Sequence, residues 1–190
     1  ILDAVLGILK FTAAFIPQGI QGTITENTAE GFGISTFMAG KILALLMLKK
    51  IIIRHFMACA YQQYGDQWVL SPELSLDRWS GSTVIAKQCI VKTPDGANNV
   101  TNLLYGTSIF PMKGVLPEHI VKDPVTGVNV YTLEEALINV SPSFFVLNEL
   151  TAKICLSLVQ DSSAILRLLA DNGASVRAGR MVGAFRHIGK

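Results

Sequence analysis

Cysteine, charge and close-set metal ligands are all scarce in this 190-residue chain, and each scarcity removes a class of protein. The three cysteines, Cys59, Cys89 and Cys155, lie thirty or more residues apart. Zinc sites draw their ligands in close pairs, and secreted scaffolds mostly pair an even number of cysteines. Neither pattern fits, so a reducing cytoplasm is the default compartment. Charged residues make up 16% of the chain against 50% hydrophobic, which excludes a disordered polymer. Sixteen glycines and seven prolines are too few for a collagenous repeat. The length suits one ordinary domain or two small ones, with a sizeable core. An initiating Met is also lacking: the chain opens at Ile1, so its natural start is expected upstream, where a targeting segment could lie.

The formal net charge of +2 is too small to mark the whole surface as a nucleic-acid binder. Its distribution says more. Residues 1–60 carry five Lys or Arg and three acidic residues, 61–160 carry six and nine, and 161–190 carry five and two. The positive charge sits at the two ends.

Mean hydropathy is above zero, which raises the question of a membrane span. The most apolar stretch, residues 31–48, is interrupted by Lys41 and begins with glycines and hydroxyl residues. A lysine near the centre of a span costs roughly 2.5–3.5 kcal/mol. Residues 1–20 contain Asp3, Lys10 and Pro17. A buried core helix is the expected reading of the 31–48 stretch, and membrane contact is not expected.

Residues 1–60 read as a helical portion, broken at Pro17-Gln-Gly19 and by a polar loop over 21–33. From residue 61 the punctuation changes. Trp68-Val-Leu, Thr83-Val-Ile, Gln88-Cys-Ile-Val and Ser108-Ile-Phe are short, β-branched or aromatic, and bounded by turn formers, so strands are expected there. Thr93-Pro-Asp-Gly96 reads as a turn, Pro94 fixing φ and Gly96 accepting a positive one. From Thr132 four short helices are expected. Thr132 and Glu135 form a capping box, Ser141-Pro142 opens the second helix, Asp161-Ser-Ser163 caps residues 164–171 with Gly173 ending them, and Ser175 caps the last.

Most catalytic motifs fail on inspection. Residues 35–42 end in Gly40-Lys41 but lack the first glycine and the final hydroxyl of a phosphate-binding loop. Gly31-Phe-Gly33 lacks the third glycine of a dinucleotide fingerprint. The stretch from Leu168 to Val176 resembles part of an ankyrin repeat, but has no second copy. His55, His119 and His187 are scattered, with no metal-binding partner expected at helical spacing. No nucleophile elbow occurs, and Glu134-Glu135 are accounted for by helix capping. Asn99-Val-Thr101 and Asn139-Val-Ser141 are formal glycosylation sequons without other signs of secretion. No catalytic residue, metal or cofactor is expected.

The last helix carries the most information. At 100° per residue, Met181, Val182, Phe185 and Ile188 share one arc, while Gly179, Arg180, Gly183, Arg186, His187 and Lys190 share the other. The basic arc suits phosphate contact, the two glycines allowing close approach; the alternative is a solvated face, with the glycines packing tightly elsewhere.

Across residues 61–190 a further set of strings occurs in order: Trp68-Val-Leu-Ser-Pro-Glu-Leu-Ser-Leu76, Thr83-Val-Ile-Ala-Lys-Gln88, Pro94-Asp-Gly-Ala-Asn-Asn99, Tyr105-Gly-Thr-Ser108, Tyr131-Thr-Leu-Glu-Glu-Ala-Leu137, Ser143-Phe-Phe145 and Ala178-Gly-Arg-Met-Val-Gly-Ala-Phe-Arg186. In these strings the chain resembles the accessory module that precedes the catalytic domain of some bacterial Fic-family proteins, related to AbiEi-type antitoxin domains. The resemblance implies a regulatory module, often with a winged helix for DNA binding. The neighbouring Fic domain would transfer AMP to a protein hydroxyl; its His-x-Phe-x-(Asp/Glu)-Gly-Asn-Gly-Arg loop is not in this sequence, so that activity is not carried over.

The expected fold is therefore mixed α/β (α+β): a helical N-terminal portion over 1–60, then an antitoxin-like module over 61–190 with a small mixed or antiparallel sheet and a C-terminal group of short helices. The expected function is a non-enzymatic regulatory module that binds DNA, a toxin or Fic catalytic domain, or both, with self-association allowed. The phosphate contacts expected on DNA are Arg177, Arg180, Arg186 and Lys190, then Lys49, Lys50 and Arg54. Two alternatives stand beside it. One is a protein-interaction module docking through its apolar N-terminal helices; the other is a degenerate metal-dependent nuclease using Glu73 and Asp77.

Overall fold

The computed structural model describes residues 36–82, 84–171 and 175–189. Two compact units divide the chain, Ile1–Arg54 and His55–Lys190. The division falls inside the first described helix, α1 (Thr36–Tyr64), a few residues before the 60/61 boundary read from composition. The phosphate-loop and glycine motifs rejected above end in this helix or precede it; Gly31-Phe-Gly33 lies outside the described residues.

The described part of the 31–48 stretch does not form the expected buried core helix. None of the described residues from 41 to 54 is buried, and Leu45 and Leu46 are exposed. The apolar residues of α1 do not follow a single helical stripe in the sequence. No helix among the described residues is long and apolar enough to cross a membrane.

The second unit is a mixed α+β fold. Its main sheet has the order β1 (Val69–Leu70), β2 (Gln88–Thr93), β4 (Ser108–Lys113), β3 (Thr101–Asn102). The β2–β4 pair at its centre is parallel, and both flanking pairs are antiparallel. A parallel pair needs a long crossover; residues 94–107 supply it and contribute β3 on the way. A separate antiparallel pair joins β5 (Ile120–Lys122) to β6 (Asn129–Tyr131). Residues 84–86 form no strand, against the reading of Thr83-Val-Ile. The Arg78 guanidinium donates to the Val84 carbonyl at 2.8 Å, and Ser82 Oγ accepts from the Val84 N–H, so side chains hold groups a ladder would use.

The turn at 94–95 is present, closed by Gly96 N–H on the Thr93 carbonyl at 3.3 Å. Glycine is required there for a different reason from the one expected. Its φ is not positive; a Cβ at 96 would stand 2.5 Å from the backbone nitrogen of Lys113.

The helices follow their caps where the caps are local. Ser71 Oγ accepts from Leu74 N–H, and Pro72 opens α2 (Pro72–Trp79), a helix not foreseen in the strand region. Thr132 Oγ1 accepts from Glu135 N–H at 3.3 Å and opens α3 (Leu133–Asn139) as expected. The second Ser-Pro pair behaves otherwise. Ser141 gives its N–H to Glu73 Oε1 at 3.2 Å and its hydroxyl meets that of Ser143, so the helix starts only at α4 (Phe144–Leu147). It breaks at Asn148 before α5 (Glu149–Leu158), making five described helices after Thr132 instead of four. Asp161 Oδ1 accepts from Ser163 N–H at 2.8 Å ahead of α6 (Ser163–Asp171), and α7 spans Ser175–His187. The Gly173 cap lies outside the described residues.

The core gathers Val69, Leu76, Tyr131, Leu137, Val140, Phe144, Cys155, Leu156, Ile165 and Met181. Trp68 is fully buried, with the rings of Phe56 and Tyr61 set edge-on at 5.6 and 5.3 Å. Buried Asn129 ties the two sheets together: its amide donates to the Trp68 carbonyl at 3.0 Å and its oxygen accepts from Tyr61 Oη.

Candidate functional site

The helix that the sequence singles out, α7, lies on the core through Met181, Ala184 and Phe185, with Ile188 just past its end. That is an i, i+3, i+4, i+7 stripe, the ordinary pattern of a helix packed on one side. Val182, expected on the apolar arc, is 58% exposed. The arginines separate into two kinds. Arg180 is half-buried and donates to the Val140 carbonyl at 2.6 Å; Arg177 donates to Asn139 Oδ1 at 2.9 Å. Both act as ties between α7 and the C-terminal end of α3, where unsatisfied carbonyls attract a cation. Arg186 is exposed, and Lys190 lies outside the described residues. Lys49, Lys50 and Arg54 lie on α1, Lys50 and Arg54 exposed, in the first unit. Gly179 and Gly183 face open space, so they are not devices for tight packing.

Beside α7 a cavity of 370 Å³ opens between it and α4–α5. Phe145, Leu156 and Ile188 give it an apolar lining, and Glu149 and Lys153 charge its edge beside His187. Glu149 pairs with Lys153 at 2.7 Å and stands 3.8 Å from His187. The bond from Lys153 chiefly holds the Glu149 carboxyl below its ordinary range. Next to this edge Val146, Leu147 and Leu150 are 79%, 78% and 73% exposed.

A second cavity, of 210 Å³, is lined from β2, the loop before β5, α3, α6 and α7. Lys92, Glu135, Asn139 and Arg177 bring polar groups to it, Leu116, Ile138 and Leu168 bring apolar ones, and Tyr131 of β6 also lines it. Tyr131 is 1% exposed, and its hydroxyl has no hydrogen-bond partner among the described residues. Burial, then the charges of Glu135 and Glu73, push this phenol up to about 12. Burial also raises the Glu135 carboxyl, with His119 and Lys92 pulling it down. Sequence reasoning missed this grouping, because its members are spread from residue 92 to residue 177. The Glu135 position was visible, but only as a capping residue.

The third hollow, of 740 Å³, is an open groove lined by His55, Cys59 and β3. Cys59 Sγ lies 3.8 Å from His55 Nε2, so His55 does have a partner at i+4, a spacing readable in the sequence. No group of three or more His, Cys, Asp or Glu occurs among the described residues that could hold a metal ion. Glu73 spends one oxygen on the Ser141 N–H, and burial raises the neighbouring Asp77. Asn139 of the second sequon uses both ends of its amide internally, on Arg177 and on the Glu135 carbonyl. Comparison with known proteins finds no matching family model, curated protein or solved structure.

Proposed function

We propose that the chain is a non-enzymatic regulatory module, working in the cytoplasm by docking on a toxin or Fic-type catalytic domain. One observation carries the reading: the run of exposed apolar side chains Val146, Leu147 and Leu150 on α4 and α5. Contiguous apolar exposure marks interaction sites more often than solitary exposed residues do. The adjoining cavity offers a recess for an anchoring side chain, and Glu149, Lys153 and His187 supply the polar rim usual at interfaces. The ordered strings from Trp68 to Arg186 suggest the class of partner. The three free cysteines fit a reducing compartment.

The phosphate-binding role loses ground because Arg177 and Arg180 are engaged within the fold. The test is calorimetric titration of the purified chain with a Fic-type catalytic domain, run beside fluorescence anisotropy on random duplex DNA at low and high salt. A one-to-one complex is expected, weakened about thirtyfold or more by Leu147→Asp with Leu150→Asp, since a hot spot at the centre of an interface is worth about 2 kcal/mol or more. No complex with that domain, together with salt-sensitive DNA binding lost in Arg186→Glu, would return the function to phosphate contact.

A further inference from the structure

His55 and Cys59 stand one turn apart on α1, and both line the open groove beside β3, which shares no residue with the docking face. Side chains at i and i+4 share a helix face, the spacing at which two histidines of a helix clasp zinc. Here the donor atoms, His55 Nε2 and Cys59 Sγ, are 3.8 Å apart. An ion at zinc's usual distances, about 2.3 Å from sulfur and about 2.0–2.1 Å from imidazole nitrogen, would see them at about 120°, close to the tetrahedral angle. The pair is held by its neighbours in the chain. Phe56 and Ala60, each one residue further on, are buried, and the Phe56 ring stands edge-on to Trp68. The turn that carries both donors is thus anchored in the core, while the donors themselves are half-buried and reach the groove.

We propose that His55 and Cys59 bind one thiophilic metal ion of the zinc class, as neutral imidazole and thiolate. Binding releases the Cys59 proton to solvent. A soft sulfur donor beside an imidazole selects against hard ions such as Mg²⁺, which take oxygen ligands. The positions the two side chains leave open face the groove and fall to water, for which Gln62, Gln63, Thr101 and Asn102 of the same lining offer hydrogen bonds. The other cysteines have no such setting. Cys155 has no exposed surface and gives its thiol to the Leu76 carbonyl, and Cys89 on β2 has no histidine near it in the sequence.

The test is titration of the full chain with Cd²⁺, in a thiol-free phosphine reductant, followed by thiolate-to-cadmium charge-transfer absorption in the ultraviolet. One ion per chain is expected, displaced by Zn²⁺ and not by Mg²⁺. Cys59→Ser is expected to lose the band, His55→Gln to bind about tenfold more weakly or worse, and Cys89→Ser to bind as the parent does. Alkylation by iodoacetamide, mapped by mass spectrometry, reads the site without a variant: saturating Cd²⁺ should slow modification of Cys59 about tenfold or more and leave Cys89 unchanged. Absence of the band at millimolar Cd²⁺, or equal protection of Cys59 and Cys89, overturns the proposal. So does His55→Gln binding as tightly as the parent, which would leave Cys59 a bare thiol.

Discussion

Tyr131 is held by everything except its hydroxyl. Its backbone N–H donates to Ser75 Oγ at 3.2 Å, its carbonyl accepts from Trp79 Nε1 at 2.9 Å, and its ring sits in the core. A buried hydroxyl left without a partner costs about 1–3 kcal/mol relative to a bonded one. Tyr131→Phe removes that cost and keeps the ring. The variant is expected to be more stable than the parent by about 1 kcal/mol, read as a higher urea midpoint with an unchanged m-value. A lower midpoint would mean that the hydroxyl stabilises the fold.

Among the elements, glycines separate two physical roles that look alike in sequence. At Gly96 a Cβ would collide with the backbone of β4, which cannot move without disturbing its pairing with β2. Gly96→Ala is therefore expected to destabilise by about 1–3 kcal/mol, the usual cost of overpacking. Gly179 in α7 faces open space, and Gly179→Ala is expected to stabilise by roughly 0.5–1 kcal/mol because alanine loses less backbone entropy in a helix. Thermal melts of the two variants should move in opposite directions; both moving down would refute the packing argument. The same contrast shows what could be read in advance. The Thr132 cap, the Asp161 cap and the turn at Pro94 depend on neighbours within a few residues, and strands β1, β2 and β4 show in their own β-branched and aromatic composition, so all of these were legible. The second Ser-Pro pair was not, because Glu73, 68 residues away, claims the Ser141 N–H. Arg177 and Arg180 likewise read as a surface stripe on a helical wheel. Their partners, Asn139 and the Val140 carbonyl, lie 38 and 40 residues upstream and are invisible to periodicity. The Tyr131 cavity was beyond reach for the same reason.

For the whole molecule, the two groups whose ionisation burial most resists sit in the same core. Cys155 has no exposed surface and donates its thiol to the Leu76 carbonyl at 3.3 Å. Burial chiefly, with the charge of Asp77 second, pushes it from 9.0 up to about 12; Tyr131 is pushed from 10.0 up to about 12. In both cases the folded state holds the proton more tightly than the unfolded chain. Their contribution is therefore complete below the unfolded values and is lost as pH rises through the folded ones. Stability should be level in these two groups below about pH 9, then fall from there toward pH 12, Cys155 entering before Tyr131. Cys155→Ser offers a check, since a hydroxyl can keep the bond to Leu76 without ionising in this range. Urea unfolding of parent and variant at pH 8 and pH 10 should give a smaller drop between the two pH values for Cys155→Ser, whatever its absolute stability. An equal drop in both proteins would assign the alkaline loss to other groups. The double variant with Tyr131→Phe should flatten the decline further at higher pH. Both residues belong to one core cluster, so any departure from additivity in the double variant measures their coupling through it.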